Sequence, residues 1–203
     1  MRIVTKEYTV YNYHELDVRA QERAQQEWRQ STEYFRGKDN EDSLKAFCGI
    51  APVKVTDWNY GSRDDVINFR LCLDYPEVED FTGIRLLRWL ENNLIWALFV
   101  KGKYISKRFD GAYKHRYSKV LFSEPEYALT GYHMDYALIK PILDFRKTPS
   151  DKITLRDLIN DCLWSWVYAC RDDMEYSQSE ECFIEECAAN SYECTEGGRQ
   201  FFE

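Results

Sequence analysis

The chain has 203 residues, is 44% hydrophobic and 16% aromatic, and carries 27 basic against 35 acidic side chains, for a net charge of −8. That is ample apolar material for a sizeable core, and no run approaches the roughly 20 uninterrupted apolar residues of a membrane-spanning helix. One domain covering residues 1–203 is expected, in a soluble cytoplasmic protein with no membrane partner, because the opening residues lack the apolar core of a signal peptide.

The charge is segregated. Residues 161–203 hold eleven carboxylates and only two basic side chains, Arg171 and Arg199, so the remainder of the chain is nearly neutral. Such a field attracts basic partners and repels nucleic acid from one face. Seven cysteines, Cys48, Cys72, Cys162, Cys170, Cys182, Cys187 and Cys194, form no CxxC step and read as small buried hydrophobes in a reducing compartment. A metal set drawn from Cys182, Cys187, Cys194 and His133 has unspecific spacing, so neither a metal nor a cofactor is expected.

In chain order, residues 2–13 read as an opening strand rich in β-branched and aromatic side chains. From His14 onward Leu16, Ala20, Ala24 and Trp28 recur every four residues, which predicts a helix with a narrow apolar stripe that ends near Gly37. Val53, Val55 and Trp58, the turn residues at 59–62, and the alternating run at 66–73 predict a β-hairpin. Residues 84–99 predict a central helix through Leu86, Leu87, Leu90, Leu94, Ala97 and Leu98. The one basic stretch, residues 101–119, interleaves Lys101, Lys103, Lys107, Arg108, Lys114, Arg116 and Lys119 with aromatic rings. Such a stretch can clamp phosphates and stack on bases, although an exposed loop or hairpin neutralised by the acidic tail accounts for it better.

Residues 130–135 form a polar turn before a helix at 137–145, in which Pro141 must occupy the first turn or kink the helix. Thr154 and Asp157 spell a capping box for a helix whose buried face is Leu155, Leu158, Ile159, Cys162, Leu163, Trp166, Val167 and Cys170, with Asp172 and Asp173 where it runs out. Ser177 and Glu180 repeat the box before a short acidic helix that stops near Asn190, followed by a strand at 192–195 and a Gly197-Gly198 turn. The composite is an α+β fold, a small antiparallel sheet packed against several helices.

Three segments in fixed order, Y-x-Y-x-E-L-D-x-x-A-Q-E-R-A-x-x-x-W at 11–28, T-G-Y-x-x-D at 130–135 and N-x-Y-E-x-T-E-x-G-R at 190–199, resemble those of a family of small bacteriophage and prophage accessory proteins. The family tends to have Phe where this chain has Cys194, which marks that position as buried. The resemblance implies a mobile-element origin, action in a bacterial host and no common reaction; its relatives include counter-defence factors such as anti-CRISPR inhibitors.

Catalytic constellations are sparse. His133 with Asp135 could form an oriented base, but loop satisfaction and helix capping explain the same residues. The chain has neither a phosphate-cradling G-x-x-x-x-G-K-[ST] nor an H-E-x-x-H zinc motif, and adjacent pairs such as Asp64-Asp65 point to different faces. The leading expectation is a non-enzymatic inhibitor with no catalytic residues, acting in the host cytoplasm. Its surface of Asp172, Asp173, Glu175, Glu180, Glu181, Glu185 and Glu186 would bind a host protein or ribonucleoprotein with a basic groove, without direct nucleic-acid binding. The alternatives are a nucleic-acid binder or small enzyme using residues 101–119, and an antitoxin-like regulator.

Overall fold

The computed structural model describes residues 7–61, 65–95 and 128–201. Its elements are strand β1 (Tyr11–Asn12), helices α1 (Val18–Ser31) and α2 (Gly37–Ile50), strands β2 (Val53–Asn59) and β3 (Val66–Leu71), helices α3 (Gly83–Leu90), α4 (Met134–Lys147), α5 (Leu155–Ser177) and α6 (Glu180–Asn190), and strand β4 (Glu193–Cys194). Among the described residues, six helices and two antiparallel two-stranded sheets make an α+β fold. The chain divides into two compact units, a terminal unit of Met1–Phe35 with Asp172–Glu203 and a central unit of Arg36–Arg171. Helix α5 runs across the boundary in sequence.

In the terminal unit β1 pairs with β4 in the register Tyr11↔Cys194 and Asn12↔Glu193. The opening strand is much shorter than 2–13: residues 7–10 take no strand, residues 1–6 lie outside the described set, and at Tyr13–Glu15 the chain turns into a 3-10 helix. There the Asn12 amide donates to Glu15 Oε2 at 2.8 Å, a local bond that competes with strand pairing. Helix α1 is capped by Asp17, whose Oδ1 accepts from the Ala20 amide at 2.8 Å. Its stripe of Leu16, Ala20, Ala24 and Trp28 is buried, with Phe183, Cys187 and Cys194 completing the core.

Helix α1 ends at Ser31, earlier than its pattern suggests, and Gly37 opens a second helix instead of closing the first. At the stop, the Ser31 hydroxyl donates to the Trp28 carbonyl at 2.9 Å and Thr32 adopts extended geometry. Helix α2 escaped the sequence reading because its buried positions Asn40, Ser43, Leu44 and Phe47 begin with two polar residues, which masks the apolar period.

The central unit contains the β2–β3 hairpin, paired from Val53↔Leu71 to Asn59↔Val66 with an irregularity between Val55 and Asp57. Against it lies an aliphatic core in which Leu86, Leu90 and Leu94 are fully buried, as are Leu138, Ile139 and Ile142 of α4. Helix α3 passes into a wider π turn at Glu91–Ile95, and the rest of the expected helix at 96–99 lies outside the described residues. Pro141 falls in the interior of α4 rather than its first turn, where its missing N–H forgoes the bond to the Ala137 carbonyl.

The capping box at the start of α5 forms as written in the sequence: the Thr154 amide donates to Asp157 Oδ2 at 3.0 Å and the Asp157 amide to Thr154 Oγ1 at 3.1 Å. All eight expected positions of its buried face are buried. At the core Trp166 meets Trp58 and Tyr60 edge-on, with ring centroids 5.4 and 5.6 Å apart. Its indole N–H donates to the Asn40 carbonyl, so a helix lacking an apolar signal is anchored by a buried ring.

Candidate functional site

The expected acidic residues all lie in the terminal unit. Asp172 and Asp173 do not mark the end of α5; the helix continues to Ser177, where the serine hydroxyl donates to the Met174 carbonyl at 2.7 Å. The cap of α6 is Ser179 rather than Ser177: its Oγ accepts from the Cys182 amide at 3.1 Å. Glu180 and Glu181 therefore occupy the first helical turn, where the positive end of the helix dipole favours carboxylates. Phe183 and Cys187 face the core, and the left-handed residue Ser191 stops the helix after Asn190.

A set of neutral donors positions these carboxylates. Tyr13 Oη donates to Glu180 Oε1 at 3.3 Å, Trp28 Nε1 to Glu186 Oε2 at 2.8 Å and Tyr176 Oη to Glu185 Oε2 at 2.8 Å. On α5, Tyr34 Oη donates to Asp173 Oδ2 at 2.8 Å. Arg29, an α1 cation, spends its Nε on the Gln178 carbonyl at 2.8 Å. Within the described residues none of Glu180, Glu181, Glu185 and Glu186 pairs with lysine or arginine, so hydrogen bonding orients the glutamates without cancelling their charge. Glu180, Glu181 and Glu185 are exposed with Asp172 and Glu175, while Glu186 and Asp173 are half-buried.

The same bonds act back on the donors. The Glu185 hydrogen bond, ahead of desolvation, pushes the Tyr176 phenol up to about 12. Burial first, and Glu180 second, raises Tyr13. Both phenols therefore remain protonated donors throughout the neutral range.

The other candidates separate cleanly. Asp135 is fully buried, and its Oδ2 accepts from the amides of Leu129, Thr130 and Gly131 at 3.0, 2.7 and 3.0 Å while Oδ1 accepts from the Thr130 hydroxyl at 2.9 Å. The T-G-Y-x-x-D motif is thus a carboxylate-centred loop clamp, with Gly131 at φ +93° supplying the left-handed turn. The His133 ring lies tilted against that of Tyr132, with centroids 4.2 Å apart. Asp65 pairs with Arg171 at 2.8 Å, and its sequence neighbour Asp64 is outside the described residues. So are Lys101, Lys103, Lys107, Arg108, Lys114, Arg116 and Lys119.

All seven cysteines are free thiols. Burial pushes the Cys187 thiol up to about 11 and also raises Cys162 and Cys194, which makes them inert packing groups. Cys194 is 3% exposed, as its place in the closing motif suggests. Among the described residues no group of three or more His, Cys, Asp or Glu side chains is arranged to hold a metal ion, and no helix is long and apolar enough to cross a membrane.

The opening and closing motifs meet in the terminal unit. Gly198, at φ +81°, lies so close to α1 that a Cβ there would stand 2.1 Å from the Ala20 carbonyl oxygen, and Arg23 Nη1 donates to the Gly197 carbonyl at 3.0 Å. Sequence reasoning placed Tyr13 at the end of a strand and Trp28 on an apolar stripe, and missed that their polar ends hold Glu180 and Glu186, a relation with no local signal across 167 and 158 residues. No family model matches this chain, and no curated protein or solved structure does either.

Proposed function

We propose that this protein acts by binding rather than by catalysis, presenting the acidic surface of α6 and the last turns of α5 to a partner with a basic groove. The observation that carries the reading is the set of glutamates bonded only to neutral donors: Tyr13, Trp28 and Tyr176 hold Glu180, Glu186 and Glu185 in fixed directions with their charge intact. Preoriented, uncancelled charge speeds encounter and sets the docking register. Affinity then comes from exposed rings at the same surface, of which Tyr176 is 40% exposed. Exposed charge pairs contribute only about 0 to 1 kcal/mol each, so the acidic residues supply orientation more than strength.

The phage-type opening and closing motifs narrow this proposal to a host-directed inhibitor of a nucleic-acid-handling defence complex, a CRISPR effector being the prime case. The motifs themselves build the terminal unit that carries the surface. The test is inhibition of purified CRISPR effectors by the wild type and by a Glu181→Lys, Glu185→Lys variant, both sites being exposed. Wild type is expected to bind, with an on-rate that falls steeply between about 50 and 500 mM salt, and the variant to bind at least tenfold more slowly while melting at nearly the same temperature. Equal on-rates and equal salt dependence for the two proteins would remove the acidic surface from the mechanism.

A further inference from the structure

The central unit holds a half-open cavity of about 460 Å³, the size of a small-molecule site, that the acidic surface does not use. Its apolar walls come from three places in the chain: Ile50 at the end of α2 with Pro52 beyond it, Leu73 after β3, and Trp89 of α3. Asn93, on the π turn that ends α3, also lines it, and its side-chain amide donates to the Trp89 carbonyl at 2.8 Å. Interruptions of this kind recur at functional sites because the widened turn redirects side chains and costs regular hydrogen bonding.

The polar character of the cavity has one sign. Among the described residues Asp74 is the only charged one lining it, and the following 3-10 helix Pro76–Asp80 adds the exposed Glu77 and Asp80 nearby in sequence. Glu79 on the same helix is paired with Arg156, whereas Asp74, Glu77 and Asp80 make no hydrogen bond or ion pair within the described residues. A hollow of mixed lining, walled on one side by an indole and aliphatic side chains and carrying an unneutralised carboxylate at its edge, matches a flat apolar body that bears an amine. The geometry points to a binding site for a small organic cation between the α2 end, the segment after β3 and the π turn of α3. This site is independent of the acidic surface in the terminal unit.

Cys72 lines the cavity and is exposed, which supplies a reporter. Cys48, also in this unit, is half-buried and its thiol is raised by burial, so it reacts more slowly. The experiment follows alkylation of Cys72 by iodoacetamide, read by peptide mass, with tryptamine, indole-3-propionate or neutral indole present. Tryptamine is expected to slow alkylation about tenfold when present at ten times its Kd. Indole-3-propionate is expected to protect least, and Asp74→Asn to weaken tryptamine by up to about fivefold, the worth of one exposed charge pair, while leaving neutral indole unchanged. Absence of protection by tryptamine at millimolar concentration overturns the site, as does equal protection by the anion or an undiminished affinity in Asp74→Asn. Protection by a lysine-bearing peptide with none by tryptamine also overturns it, because the occupant is then a polypeptide.

Discussion

Among the described residues the central unit buries twenty-four hydrophobic side chains, chiefly the aliphatic ones of α3, α4 and α5, whereas the terminal unit buries eight, of which Tyr13, Trp28 and Phe183 are rings. The large core needs little help from polar groups: its buried polar side chains Asn40, Ser43 and Asp135 tie down a helix and a loop. The small core instead uses the polar ends of its rings, so that Tyr13 and Trp28 both fill space and anchor surface glutamates. Where apolar area is scarce, each aromatic residue serves stability and surface chemistry together, and the surface proposed to bind is the one built on the thinner core.

This contrast can be broken most forcefully in the large core. Trp166 is fully buried against the stacked rings of Trp58 and Tyr60, so Trp166→Ala is expected to cost about 3–5 kcal/mol and to lower the midpoint of chemical denaturation accordingly. In the terminal unit Phe183 packs on Tyr13 and Trp28 with centroids 5.1 Å away in each case. Phe183→Ala is expected to cost about 3 kcal/mol and, by hydrogen exchange, to release the amides of α1 and α6 while those of α4 keep their protection. Loss of protection in both units at once would show that they unfold as one.

A smaller effect follows from the turn that closes on α1. Gly198→Ala places a methyl group against the Ala20 backbone at a positive φ, which is expected to cost about 1–3 kcal/mol and to raise exchange at β1 and β4 first. The smallest effect sharpens the comparison by pH. The Thr154 hydroxyl, with its amide, holds the Asp157 carboxyl below its ordinary range. A depressed folded value means that this stabilisation is complete above about pH 4 and is lost as pH falls through the lower folded value. Thr154→Ala is expected to cost about 1 kcal/mol at pH 7 and to flatten the acid dependence of stability below pH 4, read from denaturation midpoints across that range.

Local chemistry was legible in the sequence where a pattern repeats within a few residues. The Leu16–Trp28 stripe, the hairpin strands, the Thr154–Asp157 box and the buried face of α5 all depend on spacings of two, three or four, which a reader of the chain can test directly. Boundaries failed where two local signals competed, as at Ser31 against Gly37 and at Ser177 against Ser179, because several hydroxyls in a row can each cap or end a helix. Helix α2 failed for a different reason: Asn40 is a buried helix residue whose side-chain amide donates to Tyr60 Oη at 3.0 Å and whose carbonyl accepts from Trp166, partners 20 and 126 residues away.

The candidate surface divides in the same way. Its charge was countable from the amino-acid order alone, since eleven carboxylates against two arginines at the carboxyl end require no folding to recognise. Whether that charge is cancelled or presented was a tertiary matter, decided when Tyr13 and Trp28 from the first thirty residues came to rest beside Glu180 and Glu186. Composition and short-range periodicity determine what each segment can form and how much charge it bears, because both act within a turn or two of helix. Only long-range burial chooses the partner of each polar end, since it alone brings groups from the two ends of the chain within the 3 Å that a hydrogen bond requires.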